Sequence, residues 1–139
     1  MDRYNADSYP DPTAAEALEN VMREEKVKCY KPCVFICSPF AGDTEKNLKK
    51  ARKYLKFAVE QGTIPFAPHL LYPQVLDDSD PEQRKLGLFF GMVWLRKCEE
   101  LWVFGRNISK GMQAEIDKAS KHSIPIRYFT ENCREVQKI

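Results

Sequence analysis

The run Cys33-Val34-Phe35-Ile36-Cys37 contains no charged or amide side chain, and Leu101-Trp102-Val103-Phe104 repeats that character further along the chain. A strand with one wet face alternates apolar and polar residues. A strand apolar at every position is buried on both faces, as in the centre of a parallel sheet. Parallel neighbours cannot be joined by a tight hairpin, so each strand needs a crossover, usually a helix. The sequence supplies these crossovers. Leu48, Ala51, Leu55, Ala58 and Val59 recur at helical spacing from about Thr44 to Gln61, and Gly62 stops the helix. Thr63-Ile64-Pro65-Phe66-Ala67 reads as a short second strand, running into a proline-bracketed loop from Pro68 to Pro73. Asp80 as cap and Pro81 at the first helical position open a helix reaching Cys98. After the strand at 100–104 come a helix over 110–122, a last strand over 124–129 and a short closing helix over 131–138. This order predicts an α/β fold, a parallel sheet with helices on both faces.

A chain of 139 residues is long enough for one domain with a real core. Residues 1–31 read as an extension to a domain spanning 32–139. Thr13 caps a helix through about Lys26, with Glu16 in the capping-box position and a thin apolar stripe of Ala14, Leu18, Val21 and Met22. The net charge of +2 is spread without a basic stripe, so nucleic acid is not an expected partner. No run is long enough to span a bilayer and the first residues are polar, which predicts a cytoplasmic protein without a membrane partner. The five cysteines form no CxxC pair and only His69 and His122 accompany them, so no metal site is expected. In the helix at 81–98, Leu86, Phe89, Phe90, Val93 and Trp94 make a wide apolar stripe, extended by Leu88, Met92 and Leu95. A helix so apolar is normally covered on several sides, and a second copy of the chain is the expected cover.

In doubly wound sheets, ligands bind at the carboxyl ends of the strands, near the point where the strand order reverses. Loops 38–43, 68–78 and 105–111 converge there. The last leads into a helix with an apolar stripe of Met112, Ile116 and Ala119, and Glu115 falls on that stripe. An unpaired buried carboxylate is costly, so Glu115 is either a partly solvated first-turn glutamate or a functional group. Ser109 caps this helix, binds an anion at its N-terminus, or does both, and Gly111 lets a ligand approach the backbone. His69 is a backbone-bonded loop histidine or a site residue. Asp43 and Asn47 serve the start of their helix, Asp77 and Asp78 a turn, and Arg84 is a solvated helix arginine unless it reaches a phosphate.

Four segments together, Phe35-Ile36-Cys37-Ser38-Pro39-Phe40, Pro65-Phe66-Ala67-Pro68-His69, Cys98-Glu99-Glu100-Leu101-Trp102-Val103-Phe104-Gly105 and Ser109-Lys110-Gly111-Met112-Gln113-Ala114-Glu115-Ile116, resemble the nucleoside 2-deoxyribosyltransferase-like superfamily. The resemblance covers about residues 33–129. It implies a Rossmann-like or flavodoxin-like three-layer fold with a parallel sheet of four to five strands. It also implies cleavage of the N-glycosidic bond of a (deoxy)nucleoside or its 5′-monophosphate, or transfer of the base. Glu115 matches the glutamate that attacks C1′ of the sugar, and a carboxylate is a competent nucleophile there. Ser109 stands where base-exchanging transferases carry an aspartate and nucleotide-hydrolysing relatives a phosphate-binding serine, which implies a monophosphate. Glu99 stands where an aspartate assists the departing base, one methylene longer than the family's residue. The implied substrate contacts are Ser38, Pro39, Phe40 and Asp43 for the sugar, His69 for the base, Ser109, Lys110 and Gly111 for the phosphate, and Met112 as a further substrate-binding residue. No cofactor is implied, and a neighbouring subunit helps close the pocket in relatives. The alternative is a non-catalytic nucleotide sensor on the same fold.

Overall fold

The computed structural model describes residues 13–28 and 30–137. The chain divides into two units, one ending at Lys31 and the other starting at Pro32. In the first, helix α1 spans Ala14–Lys28. A reciprocal capping box opens it: the Glu16 amide donates to Thr13 Oγ1 at 3.2 Å and the Thr13 amide to Glu16 Oε2 at 3.4 Å. Its apolar residues Leu18, Val21 and Met22 are all exposed.

The second unit runs β1 (Cys33–Cys37), α2 (Thr44–Glu60), β2 (Ile64–Phe66), α3 (Pro68–Leu71), α4 (Pro81–Lys97), β3 (Glu100–Phe104), α5 (Lys110–Lys121), β4 (Ile126–Phe129) and β5 (Glu135–Val136). The sheet order is β2-β1-β3-β4-β5. The first four strands are parallel and β5 is antiparallel to β4. The order reverses between β1 and β3, so the switch point lies at Cys37 and Phe104.

The unbroken apolar runs behave as their composition requires. On one face of the sheet, Phe35, Cys37, Leu101 and Val103 pack with Leu95 of α4 and Met112, Ile116 and Ala119 of α5. On the other, Val34, Ile36, Trp102 and Phe104 pack with Tyr54 and Ala58 of α2. Alternate residues of one strand thus serve opposite layers. Full burial of each large side chain contributes roughly 1.5–3 kcal/mol, which makes β1 and β3 the spine of the unit.

Two expectations are corrected. The closing helix expected over 131–138 is not formed over 131–137, and residue 138 lies outside the described residues. Cys133 adopts a positive φ of 62°, and the chain turns back through a Cys133 amide bond to the Thr130 carbonyl at 2.9 Å. Glu135 then meets Arg127 of β4 in a two-pronged ion pair at 2.6 and 2.8 Å. Cross-strand pairing outweighs the weak helical pattern of so short a segment. The segment after β2 is also more ordered than an open loop. Pro68 starts α3 and Pro73 sits in the 3-10 turn Tyr72–Gln74, each where a missing amide hydrogen costs nothing. Apolar side chains of α4 remain uncovered within this unit, with Phe89 62% exposed and Leu86, Leu88, Val93 and Trp94 also exposed.

Candidate active site

Glu115 is buried to 8% exposure on the stripe of α5, and its Oε1 has no hydrogen-bond partner among the described residues. The sheet puts it there. Residue 109 caps α5, accepting from the Met112 amide at 3.2 Å, and Met112 docks against β1, where its carbonyl receives the Cys37 thiol at 3.8 Å. Glu115, one turn further on, then lies beside the last residue of β1. Burial pushes its pKa from 4.5 up to about 8, with a hydrogen bond from the Cys37 thiol pulling the other way by less. Burial and the facing carboxylate together push the Cys37 thiol well above its ordinary value. Cys37 is thus a buried core thiol that also borders the carboxylate.

Glu115 forms the floor of a cleft between α4 and the loops after β1 and β2. Phe40, His69, Tyr72, Asp78, Arg84 and Met92 are among the walls, with Gly87 and Gly91 of α4 between them. The Phe40 and His69 rings stack at 4.9 Å, 10° from parallel. Burial lowers the His69 pKa from 6.5, against a backbone hydrogen bond at Ser38 and the Asp78 charge, so the imidazole is neutral at pH 7. Asp77 serves the turn as expected, accepting from the Ser79 amide and hydroxyl at 2.9 and 2.6 Å, but Asp78 faces the cleft. Tyr72 is tied to α4 by the bond from Trp94 Nε1 to its hydroxyl at 2.8 Å. The glycines of α4 leave the wall low: a Cβ added at Gly91 would meet nothing within 4 Å.

The other expected residues divide. Pro39 and Ser109 line a second depression, with Asn47, Lys50, Tyr54 and Asn107, while the buried Ser38 and the cleft-lining Phe40 belong to the same loop. Asp43 caps α2, accepting from the Lys46 amide at 3.2 Å. Asn47 holds the loop from below by donating to the Phe40 and Ala41 carbonyls at 3.0 and 3.1 Å. Lys110 and Gly111 open α5, where first-turn amides lack intrahelical acceptors, and a Cβ at Gly111 would meet only Ser109 Oγ, at 4.0 Å. Met112 contributes its side chain to the core rather than to either depression.

Glu99 lies elsewhere. Its Oε2 accepts from the Cys33 amide at 2.9 Å, at the amino end of β1. Glu115 is beside Cys37, four residues along that strand, which is roughly 13 Å away at the rise of an extended chain. The catalytic pairing expected of Glu99 and Glu115 is therefore not formed within this chain. Among the described residues no cluster of His, Cys, Asp and Glu is able to hold a metal, and no helix is long and apolar enough to cross a membrane.

The fold is that of a flavodoxin-like α/β domain, with this cleft at the carboxyl edge of its sheet. Residues 32–129 match the family model described as a domain of unknown function, DUF7768, and the chain belongs to that family. No curated protein matches it. Among solved structures, a 2-deoxyribosyltransferase from the psychrotolerant bacterium Bacillus psychrosaccharolyticus is similar over 76% of this chain and 77% of that one, with a TM-score of 0.60 and 17% identity. At that identity the likeness speaks for the fold.

Proposed function

We propose that this domain cleaves the N-glycosidic bond of a (deoxy)nucleoside 5′-monophosphate, with Glu115 as nucleophile. One observation carries the proposal: a carboxyl with an unpaired oxygen, buried at the floor of a cleft at the carboxyl edge of the sheet. A purely structural role gains nothing from such a group, which destabilises the fold whenever it is charged. In the reaction, a Glu115 oxygen bonds to C1′ as the C1′–N bond breaks and its electron pair leaves with the base, which takes up a proton. Water or a second base then displaces the carboxylate. The stacked Phe40 and His69 rings flank the base and residues 38–43 border the sugar. The resemblance implies Ser109 and the first amides of α5 for the phosphate, but Ser109 borders the second depression and not this cleft. The cleft and a small-molecule nucleotide partner suit each other in kind, being a mostly apolar hollow with a few polar groups.

Attack requires the ionised carboxylate, so kcat/KM rises with pH through about 8. The same fact favours a second reading. At neutral pH the carboxyl is mainly protonated, a hydrogen-bond donor suited to holding a nucleotide without attacking it, as in a sensor. Incubation with ribo- and deoxynucleoside 5′-monophosphates between pH 6 and 9, with chromatography for free base, separates the two. Release that grows with pH and vanishes in Glu115→Ala supports catalysis. Nucleotide-raised melting temperature without release at any pH supports the sensor.

A further inference from the structure

The cleft contains one cationic group whose task is unassigned. Arg84 sits in the first turns of α4, its backbone fixed by donation to the Asp80 carbonyl at 2.8 Å behind the Asp80 cap and Pro81. It is, among the described residues, the sole lysine or arginine lining the Glu115 cleft, and His69 there is neutral at pH 7. Among the described residues its guanidinium has no ion pair or side-chain hydrogen bond. Burial raises the Glu115 pKa and the Cys37 thiol opposes it, with no part in that shift from Arg84.

The face of α4 beside it strengthens the case. Positions 84, 87 and 91 fall on one side of the helix; a Cβ at Gly87 would touch the Leu76 side chain at 3.4 Å, whereas one at Gly91 would meet nothing within 4 Å. Nothing crowds a Cβ at Gly91, so packing does not demand glycine there, although each helical glycine costs roughly 1 kcal/mol against alanine. An unpaired guanidinium and a buried carboxyl lining one cleft, with no side chain at 87 or 91 of α4, suit a ligand with an anion at one end.

We propose that Arg84 is the specificity-determining residue of this cleft, binding the substrate's phosphate in place of Ser109, which lines the other depression. The inference takes its substrate class from the nucleotide reading above. A guanidinium presents two parallel N–H donors to two phosphate oxygens, so selectivity for phosphorylated ligands resides in Arg84. Asp78, which also lines the cleft and whose charge acts on His69, is the acceptor for a donor group of the ligand and disfavours a second anion beside it.

Calorimetric titration of the full chain with the four 2′-deoxynucleoside 5′-monophosphates and the matching nucleosides tests this. Arg84→Gln should weaken monophosphate binding about 10- to 100-fold while leaving nucleoside binding unchanged, and Arg84→Lys should recover part of the loss. Ser109→Ala should keep the preference for the phosphorylated ligand. Equal weakening of both ligand types by Arg84→Gln overturns the proposal. So does loss of the preference in Ser109→Ala with Arg84→Gln unaffected, or failure of the wild-type chain to prefer a monophosphate. Monophosphate binding that depends on Arg84 without base release from any substrate sinks the catalytic reading and leaves this inference standing.

Discussion

Glu115 and Glu99 are the same residue type at opposite ends of one sheet, and their surroundings give them opposite characters. Glu99 is exposed at the amino edge, where the Cys33 amide satisfies its carboxylate at 2.9 Å. Glu115 is enclosed at the carboxyl edge with Oε1 unpaired and its pKa pushed up to about 8. A charge with water and an amide beside it holds a fold together. A charge deprived of both is a reserve of reactivity, because any partner that enters gains by pairing with it.

The most forceful way to break the contrast is to exchange the two roles. Glu115→Ala should lower base release by about 10³-fold or more, whereas Glu99→Gln should leave kcat within about threefold, measured by chromatography on the same substrates. Strong loss in Glu99→Gln would show that the amino edge takes part in the chemistry. The next effect is on stability. The folded carboxyl of Glu115 binds its proton more tightly than the unfolded one, so the folded state holds the excess proton between pH 4.5 and about 8. Stability contributed by this group is therefore full below pH 4.5 and is lost as pH rises through about 8. Glu115→Gln should remove that slope and be about 1–3 kcal/mol more stable than wild type at pH 8.5 in urea titrations. A wild-type profile flat over this window would count against the burial argument.

Smaller effects sharpen the picture. Glu99→Ala should cost about 1 kcal/mol or less, since an exposed carboxylate accepting one amide bond is largely compensated by water. Gly91→Ala should do the reverse, raising stability by up to about 1 kcal/mol while weakening nucleotide binding. Paired melting and titration curves would reveal that trade, and improved binding in Gly91→Ala would remove this part of α4 from the site.

The contrast also marks what could be read in advance. The central strands declare themselves in unbroken apolar runs, and Glu115 in the break of a helical stripe, because both are properties of neighbouring residues. The location of Glu99 depends on residue 33 pairing with residue 99 across the sheet, a relation no local pattern carries. The same holds for Cys37, whose composition says core and whose position says neighbour of the carboxylate. Asp78 and α4 as walls of the cleft emerge only when three loops and a helix are assembled. Residues 131–138 went astray because one positive φ at Cys133 and one ion pair to Arg127 decided a segment with little pattern of its own.

The sheet's two borders have a bearing on how this chain meets copies of itself. One border is β2, three residues long with Pro65, which has no amide hydrogen to offer, at its middle. The other is β5, only two residues long. Neither can act as a template for a stranger's strand, so sheet-to-sheet growth of the amyloid kind is closed off at both sides. Crowding at high concentration is thereby directed to the helical flanks, where contacts can form and part without unravelling the fold.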